Sequence, residues 1–141
     1  MTKEFIPYQQ GLQLKELGFD EPCWAWWHIE DCDIRFCYSD QRSPIINSRE
    51  TEIVGLPTYS QAFRFFRDKY NLQGYIYSTT VRGSHTKGKH FSDYCWYING
   101  IDKPFISTDP RDMENISYEE AEQACLTKLI EIIDAKIKNR R

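Results

Sequence analysis

Two segments of the chain carry apolar residues at helical spacing directly behind a helix-capping signal. Thr58 with Gln61, and Ser117 with Glu120, each fit the capping box, in which two side chains bond each other's backbone N–H groups. The stripes that follow consist of Tyr59, Ala62, Phe63, Phe66 and Tyr70 in the first segment, and of Ala121, Cys125, Leu129, Ile132 and Ile133 in the second. A helix with one apolar stripe buries it against another element, so both segments predict helices packed on a core.

The remaining segments predict a third helix and several strands. Pro7 and Gly18 bracket a short helix at residues 8–17, and β-branched and aromatic residues favour strands at 23–29, 34–38, 74–81 and 91–98. Asn99-Gly100 is typical of a type I′ turn, which predicts a further strand at 103–107. Residues 39–56 are interpreted as a long loop or a poorly formed edge. The fold class is therefore α+β: an antiparallel sheet of about five strands (hairpin plus meander) with three helices, the C-terminal one longest.

Length and charge limit the classes of protein that fit. A chain of 141 residues predicts a single domain over 1–141, which needs neither a disulfide nor a metal to fold. The net charge of −3 argues against broad coating of nucleic acid or acidic membrane. No apolar run approaches a membrane span, and the first residues lack an apolar signal core, so we expect a cytoplasmic protein. Five cysteines without paired spacing favour reduced thiols.

Three segments together resemble a known group of proteins. They are FIPY at 5–8 running into LKELGFDEPC at 14–23, PTYSQAFR at 57–64 with KY at 69–70, and YEEAE at 118–122 with ACL at 124–126 and LIEI at 129–132. These segments resemble small uncharacterised proteins of phages and prophages of Bacteroides-type gut bacteria. The resemblance covers about half the chain and implies a phage accessory protein acting in the host cytoplasm, outside the virion. It carries over no catalytic residue.

A polar and basic segment joins the two central strands of the expected meander. Its candidate ligand-binding residues are Arg82, Ser84, His85, Lys87, Lys89 and His90. Gly83, Gly88 and Lys89 match most of a nucleotide-binding P-loop, but that motif requires a Ser or Thr after the lysine and a helix after the loop. Two interpretations stay open: a flexible cationic loop that closes on a phosphate, or a solvated hairpin loop.

Two catalytic or metal interpretations are weaker. His90 and Ser92 have the histidine–x–hydroxyl spacing of a phosphoesterase that uses two such pairs, yet a second pair is absent. Cys23, His28, Cys32 and Cys37 lack the spacing of a zinc knuckle, and buried cysteine as a small hydrophobe is the better interpretation. No cofactor and no metal is predicted.

Aromatic residues alternate along two of the expected strands. Trp24 and Trp26 share one face of the first strand, and Tyr94 and Trp96 share one face of a later strand. Because one face of each strand must be core, large rings are left on the other face. Either these rings meet a ligand or partner, or they pack under the loop 39–56.

These observations favour a non-enzymatic phage binding protein. It would engage a host protein or sequester a small phosphorylated molecule, such as a nucleotide signal of host defence. Two alternatives use the same residues: a single-stranded nucleic-acid binder that stacks bases on the aromatics, and a phosphoesterase that uses His90. No membrane partner is expected, and a homo-oligomer is left open.

Overall fold

The computed structural model describes residues 2–36, 53–80, 92–100, 106–107 and 117–140. These residues form the expected α+β fold, and the C-terminal helix is the longest, as expected. The described strands belong to two antiparallel sheets of three strands each, where the sequence predicted one sheet of about five. In chain order the elements are a 3₁₀ turn at Thr2–Glu4, α1 (Tyr8–Glu16), β1 (Ala25–His28), β2 (Asp33–Phe36), β3 (Ile53–Leu56), α2 (Tyr59–Tyr70), β4 (Leu72–Thr80), β5 (Ser92–Gly100), β6 (Ile106–Ser107) and α3 (Tyr118–Asn139). The chain divides into two compact units, Met1–Phe65 and Phe66–Arg141, with the division inside α2. The single domain over 1–141 stays a prediction.

The sheet of the first unit places β1 between β2 and β3. The expected hairpin of β1 and β2 is confirmed, and Cys32 takes a left-handed conformation (φ 49°) in its turn. Of the two interpretations of residues 39–56, a long loop or a poorly formed edge, the structure supports the edge for residues 53–56, which form β3 at the edge of this sheet, and residues 39–52 lie outside the described residues. Val54 and Leu56 are buried there, and Gly55 lies opposite Trp26 across the ladder. A four-residue strand interrupted by glycine gives too short an alternation to be recognised from sequence.

Helix α1 ends in a Schellman motif built on Gly18. Gly18 has φ 93°, its N–H bonds to the carbonyl of Lys15, and the N–H of Phe19 bonds to the carbonyl of Leu14. Only glycine adopts this backbone at low cost, so the position of Gly18 fixes the helix end. Phe19 is buried directly after the turn and meets the ring of Phe65 edge-on, with centroids 5.3 Å apart.

Helix α2 begins with the expected capping box. The N–H of Gln61 bonds to Thr58 Oγ1 at 3.2 Å, and the N–H of Thr58 bonds to Gln61 Oε1 at 3.1 Å. At the other end, Asn71 adopts φ 56° and closes the helix as predicted. The buried residues of the helix include Phe65 and Phe66, whereas the expected Phe63 is only half-buried.

The sheet of the second unit is the expected meander, in the order β4-β5-β6. One detail is wrong. Asn99 and Gly100 lie inside β5, opposite Gln73 and Leu72, and do not form a two-residue turn. Gly100 serves a close approach instead, because a Cβ there would lie 2.6 Å from Leu72 Cδ2. Gly100 thus leaves room for the Leu72 side chain, and this role cannot be read from the Asn-Gly dipeptide alone.

Helix α3 begins at the predicted cap, where the N–H of Glu120 bonds to Ser117 Oγ at 3.1 Å. All five predicted stripe residues are buried, and Leu126 and Ile130 widen the stripe. The helix packs on β4 and β5. Among the described residues, no helix has the length and apolar character that crossing a bilayer requires.

Candidate functional site

The predicted binding residues fall into two groups in the structure. All six residues of the cationic segment, Arg82, Ser84, His85, Lys87, Lys89 and His90, lie outside the described residues. By chain connection this segment joins the Thr80 end of β4 to the Ser92 end of β5. The four aromatic residues are all described, and they differ in exposure.

The two tryptophans of the first unit differ sharply in exposure. Trp24 precedes β1 and is 52% exposed, whereas Trp26 lies within β1 and is buried. Trp26 faces the same side of the sheet as Gly55 and Arg35, its partners on β3 and β2. The two rings therefore do not form one open aromatic surface.

Tyr94 and Trp96 lie on the face of β5 that also carries the buried Ile98. Trp96 is buried, and its indole nitrogen has no hydrogen-bond partner within the described part of the chain. The ring of Tyr94 meets Tyr118 of α3 edge-on, with centroids 5.4 Å apart. This face belongs to the core under α3, which leaves Trp96 little surface for a ligand.

The opposite face of β4 and β5 carries three neighbouring tyrosines. Tyr75 and Tyr97 are cross-strand partners whose rings stack at 4.7 Å with an interplanar angle of 22°. The ring of Tyr77 lies 5.7 Å from that of Tyr97. Tyr75 is 40% exposed, and Cys95, on the same face, is fully buried. A hydrogen bond joins the Tyr77 hydroxyl to the Cys95 thiol. Burial is the main cause that raises the pKa of Tyr77, and the charge and hydrogen bond of Cys95 raise it further.

Side-chain amides continue this face toward the start of β4. Gln73 and Asn99 lie opposite each other, one pair beyond Tyr75 and Tyr97, and the Tyr75 hydroxyl donates a hydrogen bond to Gln73 Oε1. We call Gln73, Tyr75, Tyr77, Tyr97 and Asn99 the tyrosine face. An open cleft of about 280 Å³ lies at its amide end, lined by Asn71, Gln73, Asn99 and Gly100.

The tyrosine face combines flat rings with neutral donors and acceptors. None of its five side chains is charged. Stacked rings offer a surface to another planar group, and each carboxamide supplies both N–H donors and an oxygen acceptor. The cations of segment 82–90 follow from the Tyr77 end, since Arg82 is five positions beyond Tyr77 in sequence. The face can thus hold a planar polar ring beside its amides.

The alternation along β5 predicts two different faces, and the binding face predicted from the sequence is that of Tyr94 and Trp96. The sequence also carries a signal that the opposite face of these strands meets solvent. On β4, Tyr75 and Tyr77 fall on the same face as the polar Gln73, and on β5, Tyr97 falls on the same face as Asn99. The apolar Leu72 and Ile98 fall on the opposite face. Polar residues in the same register as aromatic residues mark the face that meets solvent.

An acidic group of residues lies on α3, near its first turn. Burial, and next the neighbouring Glu119, raises the pKa of Glu122 to about 7. Burial, followed by the charge of Glu122, also raises the pKa of Tyr118. A perturbed carboxyl is a common mark of active sites, but structural charge networks also perturb carboxyl pKa values.

Two buried thiols, those of Cys23 and Cys125, are held in the protonated form. Burial is the main cause that raises the pKa of Cys23 and that of Cys125 to about 12 each, so both stay protonated at neutral pH. Cys23, Cys32, Cys95 and Cys125 take part in no disulfide bond, and Cys37 lies outside the described part. Within residues 2–36, 53–80, 92–100, 106–107 and 117–140, no three His, Cys, Asp or Glu side chains are grouped to hold a metal ion.

The chain matches no protein-family model, no curated protein and no solved structure. Its function is therefore inferred from the tyrosine face and from the sequence.

Proposed function

We propose that this chain is a non-enzymatic binding protein whose tyrosine face holds the planar ring of a small phosphorylated ligand such as a nucleotide. The observation that carries the proposal is the stacked pair Tyr75–Tyr97, of which Tyr75 stays 40% exposed. Stacking of a base on an aromatic side chain contributes about 1–3 kcal/mol, and every base has a face suited to it. An exposed stacked pair is thus a ready platform for such a ring.

The amides beside the rings supply the second element of recognition. Gln73 and Asn99 lie next to the stacked pair, and Asn71 extends the cleft beyond them. Their donors and acceptors suit the polar edge of a heterocycle, because each carboxamide can both give and accept a hydrogen bond. A purely apolar ligand would leave these groups unsatisfied, at a cost of about 1–3 kcal/mol for each buried group.

The phosphate would be held by the cationic segment 82–90, through Arg82, Lys87 and Lys89. In a chain of net charge −3, these cations are concentrated between β4 and β5, the two strands that carry the tyrosines. Hydrogen bonds to charged groups contribute about 1.5–3 kcal/mol each. In the phage context that the resemblance implies, the ligand is a nucleotide signal of the host, or a host protein docks on the same face.

Calorimetry against mono-, di- and cyclic nucleotides tests the proposal. Changing Tyr75→Ala should weaken the bound nucleotide about tenfold, because one stacking ring is lost. Changing Lys87→Ala together with Lys89→Ala should weaken it at least about tenfold without unfolding the protein. The matched control is Tyr118→Ala, which removes a tyrosine of similar exposure, 44% against 40%, from α3.

Each other outcome has a distinct meaning. If the wild type binds no member of the panel, the nucleotide proposal is wrong. If oligonucleotides bind far more tightly than mononucleotides, with steep salt dependence, the chain is a single-stranded nucleic-acid binder, which the row of Tyr75, Tyr97 and Tyr77 would also serve. Turnover of a phosphoester that is lost in His90→Ala would make the protein an enzyme.

A further inference from the structure

A second concave site lies in the same unit, between the last turns of α2 and α3. It is a groove of about 370 Å³ whose described lining residues are Lys69, Tyr70, Ile133, Lys136, Ile137 and Arg140. Pockets for small molecules typically enclose roughly 300–1,000 Å³. The groove shares no described lining residue with the tyrosine face, so the two sites can be tested separately.

One part of the groove is apolar. Ile133 is buried in the helix packing, whereas Ile137, one turn later, is 41% exposed. Tyr70 is half-buried, and Lys69 Nζ lies 5.4 Å from the centre of its ring. An exposed isoleucine contributes little to folding, but it would bury apolar surface against a ligand in the groove.

The other part of the groove is cationic. Lys69 lies in the last turn of α2, Lys136 lies in the last turn of α3, and Arg140 directly follows α3, so the ends of two helices bring positive charge to one place. None of the described lining residues is acidic, although the chain as a whole has a net charge of −3. Cations in a last helical turn also compensate the helix dipole. Compensation of the helix dipole does not, however, explain why the apolar side chain of Ile137 stays exposed among those cations.

We infer that this groove binds a small organic anion with an apolar body. The apolar body would lie on Ile137 and the ring of Tyr70, and the anionic group, a carboxylate, phosphate or sulfonate, would meet Lys136 and Arg140. Charge complementarity selects the sign of the ligand, and the volume of the groove limits its size.

Anilinonaphthalene sulfonate is a suitable probe, because it combines an aromatic body with one anionic group and fluoresces when bound. We expect saturable binding to the native protein, weakened about tenfold in the double variant Lys136→Gln with Arg140→Gln. Lys138→Gln is the matched control: it removes a cation from the same last turn, outside the described lining of the groove, and should leave binding unchanged. Tyr75→Ala should also leave it unchanged, since Tyr75 belongs to the other site. Thermal unfolding of each variant verifies that the probe meets folded protein.

Several results would overturn the inference. One is the absence of saturable binding, and another is equal weakening by Lys138→Gln, which would show diffuse attraction to the helix end. If neutral phenylnaphthylamine binds as tightly as anilinonaphthalene sulfonate, the anionic group contributes nothing to recognition. If inorganic phosphate binds as tightly, the apolar part of the groove contributes nothing. Binding to vesicles of anionic lipid, without binding of the soluble probe, would make the surface a membrane contact in place of a small-molecule site.

Discussion

The ring of Tyr75 stacks on the ring of Tyr97, its direct partner across the ladder of β4 and β5. On the other face of the same strands, Leu72 and Ile98 are buried in the core. The sheet of the second unit therefore has one apolar face under α3 and one partly exposed aromatic face flanked by amides. This asymmetry makes the tyrosine face a functional candidate, because it leaves a stacked ring open to solvent beside neutral donors and acceptors.

The stacked pair should contribute to stability as well as to binding. Replacing Tyr75 and Tyr97 by leucine, singly and together, should give a coupling free energy of about 0.5–1.5 kcal/mol, the value typical of aromatic pairs. Urea unfolding of the four proteins measures this quantity. Strictly additive effects would mean that the rings do not stack in solution.

Gly100→Ala should lower the free energy of unfolding by about 1–3 kcal/mol, because the new methyl group would lie 2.6 Å from Cδ2 of the buried Leu72. The same change in a Leu72→Val background should cost less, since valine lacks that atom. Thermal unfolding, with and without Gly100→Ala in the wild-type and in the Leu72→Val background, measures the two costs. An equal cost in the two backgrounds would assign the effect to the backbone and not to the contact.

Phe66→Ala should cost about 3–5 kcal/mol, because Phe66 is fully buried in the described core. The matched control Phe63→Ala, in the same helix, should cost clearly less, since Phe63 is only half-buried. Leu129→Ala should lower the free energy of unfolding by about 2–5 kcal/mol, because Leu129 is also fully buried. Chemical denaturation ranks the three, and a larger loss for Phe63 than for Phe66 would contradict the placement of α2.

Glu122 should make stability depend on pH between about 4.5 and about 7, its ordinary and its raised pKa. Burial favours the neutral carboxyl, so the folded protein keeps this proton to a higher pH than the unfolded chain, and the stability contributed by Glu122 falls as pH rises through that window. Glu122→Gln should therefore stabilise the protein at pH 8 and have little effect at pH 4. The gain should be on the order of 1 kcal/mol, because solvent screens this partly exposed carboxylate and reduces the effect of its shifted pKa.

The neighbouring charge offers a control for this pH effect. Glu119 is the second cause of the raised pKa, so Glu119→Gln should lower the pKa of Glu122. The pH range over which Glu122 makes stability depend on pH should then become narrower. Thermal unfolding across pH 4–8 measures both variants. Stability of Glu122→Gln that parallels the wild type at every pH would show that Glu122 titrates normally.

Among the four cysteines in the described part of the chain, alkylation of the native protein should modify Cys32 first, because Cys32 is exposed, whereas Cys23, Cys95 and Cys125 are buried. The raised pKa of Cys23 and of Cys125 slows them further, since the thiolate is the reactive form. After denaturation without reductant, all five cysteines should be modified. Peptide mass mapping reports both stages, and two or four unmodified cysteines in the second stage would reveal disulfides.

Much of the fold follows from local signals in the sequence. The Thr58 capping box, the left-handed Asn71 and the stripe of α3 depend on contacts within a few residues, so each was predictable from its own segment. Strand β3 was not, because its pairing with β1 spans a long stretch of chain that local patterns do not encode.

Non-local packing also decided the roles of single residues that the sequence left ambiguous. Asn99-Gly100 has the composition of a turn, but these two residues pair with Gln73 and Leu72 across the ladder and so continue β5. Likewise, alternation by itself predicted that β5 has two different faces, and only the packing of α3 decided which face is core. Helix ends and periodicity were thus determined by the sequence itself. The exposure of Tyr75 and the burial of Trp96 required the tertiary structure, because burial depends on what covers a residue and not on its neighbours in the chain.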